Sequence, residues 1–122
     1  MKFPDIIHEY KRQIETGDSI AVINRFYDDA IVQIENNEAP VQGKNKLLDL
    51  EKASIERLYR FNLQIDSLVM DEAQQIVMGE MFVRFDSKKG GKKKFHEAFV
   101  QHWKNEKIVY QRFYYGAIEA DE

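Results

Sequence analysis

The hydrophobic period changes once along the chain. From Pro4 to about Leu58 apolar residues recur mostly at helical spacing; from Tyr59 to Gly116 they mostly alternate with polar ones. Ile7, Tyr10 and Ile14 make a stripe at i, i+3 and i+7, predicting a first helix from Pro4 to Thr16 that Gly17 ends. Asp18 suits the N-cap of a second helix, where Ile20, Ile23 and Tyr27 share a face with Phe26 beside them. Ala30 to Glu35 reads as a short strand and Asn36 to Pro40 as a loop. A third helix is expected after Gly43, with Leu48, Glu51, Ile55 and Leu58 on one stripe.

The second half predicts long hairpins. Tyr59, Phe61, Leu63 and Ile65 alternate with polar residues, Asp71-Glu72 turns the chain, and a strand covers roughly Gln74 to Asp86. SKKGGK is a hairpin tip, KKFHEAFVQHW a strand, Asn105-Glu106 a turn and KIVYQRFYY the last strand. The expectation is an α+β fold in which three N-terminal helices cover one face of a long, curving antiparallel sheet.

Composition narrows the chemistry. The 122 residues carry 18 Lys+Arg and 21 Asp+Glu, a formal net charge of -3, with 43% hydrophobic residues and no cysteine. That is one ordinary domain, too apolar for disorder, and without a disulfide scaffold, a thiolate metal site or a Cys nucleophile. The mild charge argues against a nucleic-acid binder, and no apolar run is long enough to cross a membrane. The start, MKFPDIIHEYKRQ, lacks the apolar core of a secretory signal, so a cytoplasmic protein is expected. Fifteen aromatic rings, eleven of them from Tyr59 onward, are generous for this length.

WKNEKIVYQRFYYG resembles the closing hairpin of SnoaL-like proteins of the nuclear-transport-factor-2-like superfamily. FYDDAIV after the second helix, and Pro40-x-x-Gly43 before the third, are similar to upstream landmarks of the same family. The resemblance implies a single cone-shaped domain over residues 1–122, its curved sheet wrapped around the three helices with a cavity at the open end. It also implies homodimers through the outer sheet face. The family holds isomerases, cyclases, dehydratases and epoxide hydrolases beside non-enzymatic binders, so fold alone does not choose. Aligned on ketosteroid isomerases, Tyr10 falls at the oxyanion-hole tyrosine, Ile34 at the proton-moving aspartate and Phe99 at the protonated aspartate. Isoleucine cannot accept a proton, which argues against that reaction.

Strand parity with this resemblance points Phe95, Glu97, Phe99, Gln101 and Trp103 into the cone. Val77, Gly79, Met81, Val83 and Phe85 join them from one neighbouring strand, and Val109, Gln111, Phe113 and Tyr115 from the other. Apolar walls with sparse polar anchors are the usual make-up of a small-molecule site. Glu97, among rings, is the candidate proton carrier, with Tyr10 or Tyr115 orienting a carbonyl or hydroxyl. Glu51 is a candidate at the cavity mouth, although a helix-edge residue with its head in water fits the same pattern. Ligand-binding candidates are thus Glu51, Phe99, Gln101, Trp103, Gln111, Phe113 and Tyr115. Asp28 and Asp29 read as residues that satisfy backbone groups at a helix end, with Asp28 a minor catalytic candidate.

No metal or organic cofactor is expected: His96 and His102 lie about 20 Å apart on one strand. The five lysines of SKKGGKKK read as a solvated hairpin tip. Ile76, Met78, Phe82, Ala98, Val100, Tyr110 and Tyr114 point outward as an apolar surface suited to pairing two copies. The expected function is a homodimeric binder of a small apolar or aromatic molecule, with acid-base catalysis of isomerase, dehydratase or hydrolase type as its enzymatic form. The alternative is a non-catalytic interaction or dimerisation module whose cone is filled by the same rings.

Overall fold

The computed structural model describes residues 1–122. Helix α1 (Phe3–Ile14) has Pro4 in its first turn and buries Phe3, Ile6, Ile7 and Tyr10, while Ile14 is half-buried. It ends before Gly17, whose φ of +88° lies in the left-handed region that glycine tolerates. Helix α2 (Ser19–Phe26) is capped as expected, the Asp18 carboxylate accepting from the Ala21 N–H at 3.0 Å. Its buried face is Val22, Ile23 and Phe26; Ile20 is only half-buried, and Tyr27 already belongs to strand β1 (Tyr27–Glu35). After β2 (Val41–Gln42) comes α3 (Lys44–Glu56).

The stripe expected on α3 is rotated. Ile55 is 45% exposed and Leu58 opens the next strand, whereas Leu47 is buried and Glu51 and Ser54 follow it at i+4 and i+7. The helix therefore turns a partly polar face inward.

Strands β3 (Leu58–Asp71), β4 (Ile76–Ser87), β5 (Gly91–Lys104) and β6 (Lys107–Tyr115) form the long hairpins, and β7 (Glu119–Ala120) adds a short C-terminal piece. Asn105 and Glu106 both have positive φ, 51° and 63°, as a two-residue hairpin turn of matching twist requires. The sheet order is β2-β1-β6-β5-β4-β3, with β7 on β5. This curved, unclosed sheet is mixed and not wholly antiparallel, because β1 leaves α2 to run parallel to β6. Alternation reports which face a residue takes but not strand direction, so that pairing was invisible in the pattern.

Two irregularities bend the sheet. The pairing of β3 with β4 steps between Ile65 and Ser67, leaving Asp66 extra; the pairing of β5 with β6 steps between His102 and Trp103, leaving Val109 extra. The second step corrects the expected parity of β6. Ile108 is fully buried in place of Val109, while Gln111, Phe113 and Tyr115 keep their inward sense.

At the narrow end of the cone the core is tightly filled. Trp103 makes edge contacts with the rings of Phe3, Tyr10 and Phe26 at centroid distances of 6.3, 5.5 and 5.9 Å. Phe99 lies over Gly79, where an added Cβ would sit 2.8 Å from its ring and 2.3 Å from the Ser67 carbonyl oxygen. Gly79 thus admits both a bulky ring and a bulged neighbouring strand. No helix is long and apolar enough to cross a membrane.

Because the Ser67 contact is with backbone, Gly79→Ala is expected to destabilise the fold by about 2–3 kcal/mol. Urea unfolding measures it, and a cost under about 0.5 kcal/mol would show that the strands move apart freely.

Candidate functional site

Gln101 and Gln111 face each other across β5 and β6, and both are 0% exposed. A buried amide must find partners, and these find all of them. Gln101 Nε2 donates to the Tyr10 hydroxyl at 2.9 Å and to Gln111 Oε1 at 3.2 Å, while its Oε1 accepts from Trp103 Nε1 at 3.2 Å. Gln111 Nε2 donates to the Tyr27 hydroxyl at 2.7 Å and to Gln33 Oε1 at 2.6 Å. No buried side-chain nitrogen or oxygen lacks a partner.

This network corrects part of the expected site. Tyr10, Phe99, Gln101, Trp103 and Gln111 do point into the cone, but they fill it and do not line its open space. Tyr10 is enclosed between Phe26 and Trp103, and burial pushes its phenol far above the ordinary range. Its hydroxyl accepts from Gln101 Nε2, and Tyr10 is not among the residues lining the open space.

Beyond the amides the cone is hollow. A pocket of about 310 Å³ lies between the helices and the wide end of the sheet, open on one side. Leu63, Met81, Val83, Phe85, Phe95 and Phe113 wall it from the sheet, with Val22 and Ile23 from α2. The volume corresponds to roughly ten molecules of liquid water and falls in the range of small-molecule sites. Glu97, Glu51, Phe113 and Tyr115, four of the expected residues, line it together.

Glu97 is held in an unusual state. Burial, and to a smaller degree the nearby charge of Glu35, raise its carboxyl from 4.5 to about 7, and no cation or hydrogen-bond donor offsets them. Burial also raises Glu51, partly countered by the Ser19 hydroxyl, with Glu35 adding to the rise. Glu35 itself is raised by burial and by Glu38, while the Tyr115 hydroxyl, 3.5 Å from its Oε2, acts in the opposite sense.

Tyr27, Gln33 and Glu35 line the pocket but were not among the expected residues. The signal for two of them was present: Gln33 and Glu35 share strand parity with Ile31, which is fully buried. Tyr27 was hidden by its expected place on α2. Asp28 accepts from the Ala30 N–H at 2.9 Å, the backbone role anticipated for it. No three His, Asp or Glu side chains converge as a metal-binding group.

No protein-family model matches the sequence, and no curated protein is similar to it by sequence. Solved structures are. A protein assigned as a SnoaL-like polyketide cyclase from Mesorhizobium loti superposes with TM-score 0.79 at 19% identity, covering 94% of this chain and 100% of that one. SalBIII, an epoxide hydrolase/cyclase-like enzyme of pyran ring formation in the polyether salinomycin, gives 0.79 at 14% identity over 98% and 95%. An NTF2-like protein of unknown function from Cytophaga hutchinsonii gives 0.73 at 18% identity over 92% and 97%. The chain has the fold of the SnoaL-like and NTF2-like proteins.

Replacing Gln101 by Leu strands the Trp103 N–H, the Gln111 Oε1 and the Tyr10 hydroxyl together, so Gln101→Leu is expected to cost about 3 kcal/mol in chemical denaturation. Glu97 affects stability in the opposite way. Its folded-state value lies above the unfolded one, so its contribution is fully present below pH 4.5 and is lost as pH rises through about 7. Glu97→Gln is therefore expected to be more stable than wild type at alkaline pH, by on the order of 2 kcal/mol. The difference should vanish in unfolding curves measured near the unfolded-state value.

Proposed function

We propose that the chain is a small-molecule-binding domain in which Glu97 moves a proton to or from an apolar or aromatic ligand seated in the wide end of the cone. The observation that carries this reading is a carboxyl facing an apolar pocket of about 310 Å³ and held near 7 without a counter-charge. A group poised near the working pH is half ready to give a proton and half ready to take one. Tyr115, at the pocket wall, takes the orienting role that Tyr10 is too enclosed to fill, and Tyr27 lines the same pocket. Isomerisation, dehydration and hydrolysis all fit this equipment, and none of them requires a metal or organic cofactor. The fold shared with an epoxide hydrolase/cyclase-like enzyme supports the catalytic form. The pocket weighs against a cone filled throughout, the non-catalytic alternative. Pairing of two copies through the outer sheet face belongs to the same proposal, supported by Met78 and Tyr114, 48% and 46% exposed there.

5-Nitrobenzisoxazole provides a direct test, because its ring opens when a base takes its C3 proton and the N–O bond breaks, the electron pair ending on a coloured phenolate. The protein is expected to accelerate this opening over buffer, with a rate rising through about pH 7 as Glu97 ionises. Glu97→Gln should lower that rate at least ~10-fold. Equal rates for the two proteins, or none above buffer, would remove Glu97 from the chemistry.

A further inference from the structure

The charges facing the pocket have one sign. Glu35, Glu51 and Glu97 line it, and no Lys, Arg or His does. Three acids elsewhere do have cation partners: Glu9 pairs with Arg12 and Arg25, Glu15 with Lys11 and Asp121 with Arg84. Arg57 lines an adjoining groove that shares Glu35 and Glu51 with the pocket, yet it forms an ion pair with neither. The other polar groups of the lining, Tyr27, Gln33, Ser54 and Tyr115 among them, are neutral.

Such a wall discriminates between ligands by charge. A carboxylate ligand would add another negative charge to a site where Glu35 already disfavours ionisation of Glu51 and Glu97. A neutral ligand would leave the carboxyls as they are. A cation would let them ionise and would gain from each. Phe61, Phe85, Phe95 and Phe113 present rings to the same space, and aromatic faces attract cations as well as apolar groups.

We infer that the pocket takes an apolar or aromatic molecule bearing a protonated amine, its nitrogen against Glu35 and Glu51 and its body along the rings toward Glu97. This rests on the pocket reading above and adds to it the charge of the ligand. Binding also moves a proton: an ammonium group drawn into the pocket shifts Glu97 toward its ionised form, so a proton is released. The titratable groups around Glu97 are Tyr10 from α1, Tyr27 and Glu35 from β1, Glu51 from α3 and Tyr115 from β6, and α2 offers the pocket only uncharged residues.

Three probes of one shape make the test: naphthalen-2-ylmethanamine, 2-naphthylmethanol and 2-naphthoate, each titrated calorimetrically at neutral pH and low salt. The amine is expected to bind at least tenfold tighter than the alcohol and the naphthoate weakest. The heat of amine binding should vary with buffer ionisation enthalpy in the sense of proton release. In the double variant Glu35→Gln, Glu51→Gln the amine should fall to the affinity of the alcohol. An alcohol that binds as tightly as the amine, or a double variant that keeps the preference, overturns the inference and leaves the pocket reading standing. Failure of all three probes to bind overturns both. If the double variant does not fold, judged by its circular dichroism, the wild-type comparison decides alone.

Discussion

The paired amides of Gln101 and Gln111 fix what surrounds them because a buried amide left unpartnered would cost roughly 1–3 kcal/mol for each lost contact. Their partners come from separate parts of the chain: Tyr10 on α1, Tyr27 and Gln33 on β1, Trp103 on β5. Satisfying them holds α1 at one rotation over the sheet and β1 beside β6 in one register. On one side of the amides the cone is packed by Phe3, Ile7 and Trp103. On the other side it is open.

The open side follows from how little helix is available to fill it. Helix α1 ends at Ile14, and the inward face of α3 is Leu47, Glu51 and Ser54, whose two later side chains are polar. Phe85, Phe95 and Phe113 on the sheet and Ile14, Val22 and Ile23 on the helices wall the space left between them, and that space is the pocket. A carboxyl placed there loses much of its hydration without gaining a donor. That is the larger cause of the rise of Glu97 to about 7, with the charge of Glu35 a secondary one.

Much of this was legible in the sequence, and what was not has identifiable causes. Alternation placed Glu97, Phe113 and Tyr115 on the inner face because period-two patterning is strong where one face of a sheet is buried. It could not show that Gln101 and Gln111 would consume one another's hydrogen-bonding capacity, since that depends on the register between two strands. Inward direction was therefore mistaken for accessibility at Tyr10, Phe99 and Trp103 as well. The bulge at Val109 reversed one local assignment because a single extra residue shifts parity. The face of α3 was misjudged because its apolar residues, Leu47, Leu48, Leu50 and Ile55, do not define one stripe. Only the cavity beneath it selects Glu51 and Ser54.

Net charge is a poor guide to where charge matters in this molecule. The most prominent charged feature of the sequence, the five lysines between Lys88 and Lys94, stands at an exposed hairpin. The acidic C-terminal segment lies along it, with Glu119 opposite Lys94 in register and Asp121 bound by Arg84 at 2.8 and 3.0 Å. Water and salt screen such charges within about 8–10 Å, so their individual effects on the fold are small. The three pocket glutamates are far less conspicuous in the sequence, spread over positions 35, 51 and 97 with no motif joining them. In that poorly hydrated space the charge of Glu35 disfavours ionisation of both Glu51 and Glu97. Their ionisation is set by the hollow end of the cone, whereas the lysine hairpin stands in solvent.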